Sequence, residues 1–173
     1  MLDTKYYIKK HQLQKVGKEN MLWNNSISDL HCHLLHAIDD GPREIDETMK
    51  LLELEKKQNM NKVMLTPHFN CSKMSVDDFN YIRKASYKQL CNDTRYKNLK
   101  IKTRLGAEVF YSNKLIDMNI ELICFENSNY ILIEFSVEIL PFGITKDQII
   151  RTMNYLLSMG YVPIIAHIER YRF

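Results

Sequence analysis

The stretch NYILIEFS, residues 129–136, is apolar on both faces until Glu134. Such a strand has no side to offer to water. It fits a sheet covered on both faces, which is the habit of parallel sheets. Four further strand-type runs stand at SISDLH (26–31), NKVMLTPH (61–68), IKTRLGAEVF (101–110) and YVPIIAH (161–167). Helical patterns lie between them. Gly41-Pro42 breaks the chain, and Arg43 to Asn59 then reads as a helix with Ile45, Met49 and Leu52 on one face. Ser75 with Asp78 has the form of a helix start, and Phe79, Ile82, Ser86 and Leu90 continue one stripe. Thr145 and Gln148 form a capping box for a helix through Ser158, with Gly160 as its stop. Strands alternating with helices imply parallel βαβ units. An open doubly wound sheet and a barrel both satisfy this pattern.

Residues 1–26 are polar and lysine-rich, and read as an extension ahead of one domain spanning 27–173. With 45% apolar and 26% charged residues the chain can bury a core and does not read as disordered. A net charge of +3 gives no reason to expect nucleic acid, and the basic tract from Lys5 to Lys18 reads as a solvated arm. No apolar run approaches the roughly 20 residues of a membrane span, so no membrane insertion is expected. The N-terminal lysines are followed by no continuous apolar core, so this segment does not read as a signal peptide. Cys32, Cys71, Cys91 and Cys124 form no C-x-x-C pair, which fits reduced thiols in the cytoplasm.

The potential ligands fall in a pattern. His31 and His33 close the first strand and His68 the second. Glu108 lies near the end of the third, Glu134 of the fourth and His167 of the fifth. In a parallel α/β fold these ends share one face, where catalytic groups gather. Alternate residues of a strand point the same way, so His31 and His33 face together and Cys32 points away. Imidazole and carboxylate ligands without thiolate suit manganese, iron or zinc. Each residue also has a plainer reading. His68 after Pro67 fits a turn, Glu108 and Glu134 could pair with lysines, and Asp39-Asp40-Gly41 fits an ordinary turn. His11 and His36 are left to that plainer reading, and Cys32 reads as a small buried side chain.

The motifs DLHCHLLHAIDDG, TPH, GAE, LIEF and AHIER, in that order from about Ser28 to Phe173, resemble the PHP (polymerase and histidinol phosphatase) superfamily. More narrowly, they are similar to the bacterial tyrosine-protein phosphatases of capsule and exopolysaccharide operons. The resemblance implies an α/β fold, a distorted seven-stranded β/α barrel, with up to three divalent ions. Manganese is the first choice, with iron, zinc and magnesium as alternatives. It places His31 and His33 on the first ion and Glu108 as a bridge between the first and second. Glu134 and His167 complete the second ion, and Asp40 and His68 hold the third. Arg170 grips the substrate phosphate, with Asp40 as the other catalytic group. The family pattern continues for two more βα units, including a late Asp-x-His. A chain ending at Phe173 is thus expected to supply about five parallel βα units of an incomplete barrel.

The chemistry implied is hydrolysis of a phosphomonoester. Clustered divalent ions neutralise phosphate and lower the pKa of a coordinated water. Arg170 offers a planar fork of donors matched to phosphate oxygens. Cys32 does not sit in a C-x5-R loop, so a cysteine-based mechanism finds no support. By resemblance the partner is the phosphotyrosine tail of a bacterial tyrosine kinase, and a homo-oligomer is an open possibility. The alternatives are a small-molecule phosphatase of the histidinol-phosphate type and a catalytically impaired, truncated remnant.

Overall fold

The computed structural model describes residues 27–136 and 144–171. The lysine-rich extension of residues 1–26, with His11, lies outside them. The strands are β1 (Ile27–Cys32), β2 (Met60–Leu65), β3 (His68–Phe69), β4 (Lys102–Leu105), β5 (Glu108–Phe110), β6 (Tyr130–Glu134) and β7 (Val162–Ile165). The helices are α1 (Ile45–Lys57), α2 (Val76–Asn92), α3 (Thr94–Leu99) and α4 (Lys146–Ser158). Every strand pairing is parallel, in the orders β1-β2-β4 and β3-β5-β6-β7. The fold is therefore mixed α/β built on parallel sheets.

Two of the five expected strands are broken. NKVMLTPH divides into β2 and β3, and IKTRLGAEVF into β4 and β5. Pro67 has no N–H to give to a ladder and interrupts the first. Gly106 interrupts the second, where space is the constraint. A Cβ at Gly106 would lie 2.8 Å from Phe125 Cδ1, 3.0 Å from Thr66 Cγ2 and 3.1 Å from Met64 Cγ. The ladder bridges both breaks through Gly106 N–H donating to Leu65 O (2.8 Å) and Glu108 N–H donating to Pro67 O (3.1 Å). His68 and Glu108 therefore open short strands of their own and stand opposite each other in register.

The helices start where their caps put them. Ser75 Oγ accepts the Asp78 N–H at 3.1 Å, and Thr145 with Gln148 forms the full capping box. Gly160, at φ 89°, follows α4 in the left-handed region that stops helices. In α1, Met49 and Leu52 are buried with Thr48, and acidic Asp46 and Glu47 open a helix closed by Lys56 and Lys57, matching the macrodipole. The inward stripe of α2 is Phe79, Arg83, Ser86 and Leu90, with Ile82 only half-buried. An arginine thus takes the inward place that the sequence pattern assigns to Ile82.

The core has a main cluster around Phe69, Phe79, Ile131, Ile133, Phe135 and Leu156. A second cluster around Leu35, Leu52, Leu65 and Leu90 sits beneath β1, β2 and β4. Ile131, Leu132 and Ile133 of β6 are all buried, as a strand covered on both faces requires. Each such side chain stabilises by roughly 1.5–3 kcal/mol relative to exposure.

Candidate metal centre

Glu108 is the hub of the site. Its side chain is fully buried. Oε2 lies 2.9 Å from His31 Nε2, 3.0 Å from His33 Nε2 and 3.2 Å from His68 Nδ1, while Oε1 lies 2.9 Å from His167 Nε2. Yet neither Glu108 oxygen, nor His31 Nε2, takes part in a hydrogen bond of acceptable geometry. Buried polar atoms left in this way are rare and call for a partner. Imidazole nitrogens and a carboxylate converging without donating to one another are suited to share a cation. The donor set, nitrogen and oxygen without sulfur, fits a divalent ion of the manganese, iron or zinc kind.

Three overlapping triads offer ligand atoms within 4.8 Å of one another: His31–His33–Glu108, His33–Asp40–His68 and His68–Glu108–Glu134. Glu134, the last residue of β6, reaches within 4.0 Å of His68 Nδ1. His68 Nε2 is 3.9 Å from Asp40 Oδ1, which is largely exposed at the rim. The cavity here measures about 500 Å³ and is lined by Ile38, Asp39, Asp40, His68, Phe110 and Glu134. Of the residues expected from sequence, His31, His33, Asp40, His68, Glu108, Glu134 and His167 are brought together. Arg170 ends a short 3₁₀ turn directly after His167, with its side chain half-exposed and 4.0 Å from Glu169.

Local structure explains the convergence. Thr66 ties the ends of β1 and β2, its N–H donating to Cys32 O at 2.9 Å and its Oγ accepting the Cys32 N–H at 3.0 Å. His31 and His33 flank that anchor. His167 was expected to end the fifth strand, but β7 stops at Ile165. His167 takes φ 50°, in the left-handed region that few residues other than glycine adopt, histidine being among the more tolerant. Such a backbone costs on the order of 1 kcal/mol or more and persists where the surroundings enforce it.

Asp39 is the residue that sequence reading left in a turn. Its Oδ1 does close that turn, accepting the Gly41 N–H at 3.0 Å. Its Oδ2 does more: it accepts from His33 Nδ1 at 2.7 Å and from the His68 backbone N–H at 2.8 Å. A carboxylate behind an imidazole fixes which ring nitrogen faces the site and raises its basicity. Burial would raise the Asp39 carboxyl, but the bonds from His33, His68 and Gly41 outweigh it and hold it low. For His33, burial opposes the charge, while Asp39 and Glu108 favour it and lift the imidazole to about 10. Burial also pushes against the Glu108 carboxylate, and His31 and His33 overcome it, leaving it well below the usual carboxylate range. Gly41 is required by space, since a Cβ there would stand 2.3 Å from His33 O.

The plainer readings hold for two groups. His36 is buried and bonded to Gln89 (3.1 Å) and Ser86 (3.2 Å) of α2, away from Glu108. Cys32 is buried, its thiol donating to Met64 O at 3.2 Å, and burial pushes that thiol far above its ordinary range. Cys32→Ala is accordingly expected to leave any hydrolytic rate within about twofold of the parent. Thiol alkylation of the folded chain should spare Cys32 and modify the partly exposed Cys71 and Cys91 first. A rate that disappears in Cys32→Ala while the fold persists would point to a thiol nucleophile.

Comparison with known proteins sets this geometry in context. CapC of Staphylococcus aureus is 33% identical over 146 residues, covering 82% of this chain and 54% of CapC. The tyrosine-protein phosphatase CpsB of Streptococcus pneumoniae is 28% identical over 151 residues, covering 83% of this chain and 57% of CpsB. The chain thus spans about half the length of the curated relatives it matches. A crystal structure from the pair YwqE of Bacillus subtilis and CpsB of S. pneumoniae, metal-dependent tyrosine phosphatases, shares the fold. Its TM-score is 0.64 at 24% identity, covering 84% of this chain and 57% of that one. A family model for capsular polysaccharide synthesis, CpsB/CapC, matches residues 27–173. The chain belongs to the CpsB/CapC family.

Proposed function

We propose that this chain acts as a metal-dependent protein-tyrosine phosphatase, with a bacterial tyrosine kinase of capsular polysaccharide synthesis as its substrate. The observation that carries the reading is the buried Glu108 carboxylate, ringed by four imidazoles and bonded to none of them. The relatives named as tyrosine phosphatases support the substrate class. In this reading residues 27–173 belong to a PHP-type distorted barrel. His31, His33 and Glu108 hold one ion, and Glu108, Glu134 and His167 a second. Asp40 and His68 hold a third. Manganese is the proposed metal, and the cytoplasm is the proposed compartment. No helix among the described residues is long and apolar enough to cross a membrane. Self-association is also proposed, through exposed Ile150, Tyr155, Leu157 and Met159 of α4 and its C-terminus.

When bound, such ions neutralise phosphate charge and supply an activated water. The chain's own residues do the rest. Asp39 holds the His33 ring with Nδ1 engaged and Nε2 turned to Glu108. The buried Glu108 keeps its negative charge away from solvent, where electrostatic interactions are stronger than in water. Asp40 and the half-exposed His68 stand at the open rim, where a phosphate would enter. Arg170 offers two parallel donors to its oxygens. Arg170→Lys should lower the rate roughly tenfold, about 1.4 kcal/mol, because the ammonium keeps the charge but loses the fork. Metal content should not change. A parallel fall in metal would make Arg170 structural.

The deciding experiment strips the chain with chelator and reloads it with manganese. Metal content is then measured beside hydrolysis of a phosphotyrosine peptide and of histidinol phosphate. Manganese-dependent turnover favouring the peptide is expected. Turnover that survives in chelator, or a chain that retains no metal, would sink the reading.

A further inference from the structure

Arg83 is the odd member of the inward stripe of α2, only 4% exposed. Nη1 donates to Gly106 O at 2.5 Å, and Nη2 donates to Leu122 O at 2.7 Å and to Asn80 Oδ1 at 3.0 Å. Its Cζ lies 5.1 Å over the Phe79 ring. Burial lowers its pKa to about 10, partly offset by Glu126, so it is still a cation at neutral pH. A buried charge is costly unless paired and hydrogen-bonded. This one is spent on neutral oxygens, and Nε makes no bond at all. A leucine or methionine would fill the same stripe without that cost.

The carbonyl it holds explains the choice. Gly106 marks the break between β4 and β5, two residues before Glu108. One side of the break is fixed by space, since Phe125, Thr66 and Met64 leave no room for a side chain. The other is fixed by the guanidinium. The planar fork also spans from Gly106 to Leu122, in the 3₁₀ turn Ile120–Ile123, tying that turn, α2 and the break together. We infer that Arg83 is a positioning residue for Glu108: by pinning the Gly106 carbonyl it sets the break from which the buried carboxylate enters the ring of imidazoles. The inference rests on the metal-centre reading for its effect on activity, but its geometric content does not.

The test compares Arg83→Met, Arg83→Lys and Leu52→Ala with the parent chain. Leu52→Ala removes buried volume from α1 without touching the Arg83–Gly106 link, and controls for lost stability. Each is loaded with cobalt(II), whose visible bands report ligand geometry. Arg83→Met should shift the bands, weaken cobalt binding roughly tenfold and lower kcat, with KM for a phosphotyrosine peptide nearly unchanged. Arg83→Lys should fall between Arg83→Met and the parent, since one ammonium reaches only part of the fork's targets. Leu52→Ala should lose melting temperature and keep the parent bands. Parent-like bands in Arg83→Met would overturn the inference, as would equal shifts in Leu52→Ala. If the parent takes up no cobalt, the metal-centre reading fails by itself. Imidazole ¹⁵N shifts of His31 and His33 in the metal-free chain then decide. Movement in Arg83→Met supports the positioning role, and unmoved shifts overturn it. If Arg83→Met does not fold, Arg83→Lys carries the same comparisons.

Discussion

Glu108→Gln is expected to lose bound metal and to lower phosphotyrosine hydrolysis by about a hundred- to a thousandfold. The amide keeps the volume and one acceptor oxygen, so the packing around β5 survives. It loses the negative charge that holds four imidazole nitrogens within 3.2 Å. It also turns an NH₂ toward at least one of them. Two proposed ion sites share this carboxylate, so both weaken together. Metal analysis alongside circular dichroism would separate the outcomes. A folded Glu108→Gln chain with parent-like metal content would remove Glu108 from the centre of the site.

Asp39→Asn should cost roughly ten- to a hundredfold in metal affinity or rate, the usual scale for a group one step behind a ligand. The asparagine oxygen can still accept one N–H. It cannot keep an anion beside His33, and its NH₂ competes with the ring for orientation. Two consequences should appear together, because Asp39 Oδ2 touches both the His33 ring and the His68 backbone. The His33 imidazole should lose part of its elevation from about 10, since Asp39 leads the groups that raise it. The start of β3 should loosen as well. Histidine titration by NMR checks the first and amide exchange at His68 the second. If neither changes, Asp39 is only the turn residue it resembles.

Much of this arrangement was legible from residue patterns. The apolar run of β6, the capping box at Thr145–Gln148 and the Ser75 cap each follow from local chemistry, and local chemistry decided them. His-x-His in one strand puts two imidazoles on one side whatever the surroundings. What escaped depends on contacts distant in sequence. Pro67 is a legible strand stop, but the break at Gly106 splits a run that reads as continuous, because Gly106 is constrained by Phe125, nineteen positions on. Arg83 lies off the stripe read from sequence, and nothing near it in sequence announces the carbonyls of Gly106 and Leu122. Asp39 and Asp40 are equivalent by composition, and only the fold turns the first inward and leaves the second at the rim. The short α3 carries too few residues for periodicity to speak, although Asp93 does cap it, accepting the Arg95 N–H at 2.8 Å.

The crowding at Gly106 bears on how such a chain can drift. Its backbone lies outside the left-handed region, so alanine is excluded there by neighbours alone. Of those neighbours, the Phe125 ring is the nearest at 2.8 Å; a smaller residue at 125 would clear it and leave the tight contacts with Thr66 Cγ2 at 3.0 Å and Met64 Cγ at 3.1 Å. Positions 106 and 125 therefore form an epistatic pair. Substitution at 106 is deleterious in one background and tolerable in another. A lineage that shrank 125 first, accepting a cavity on the way, would still need Thr66 and Met64 to give by a few tenths of an ångström before it could enlarge 106.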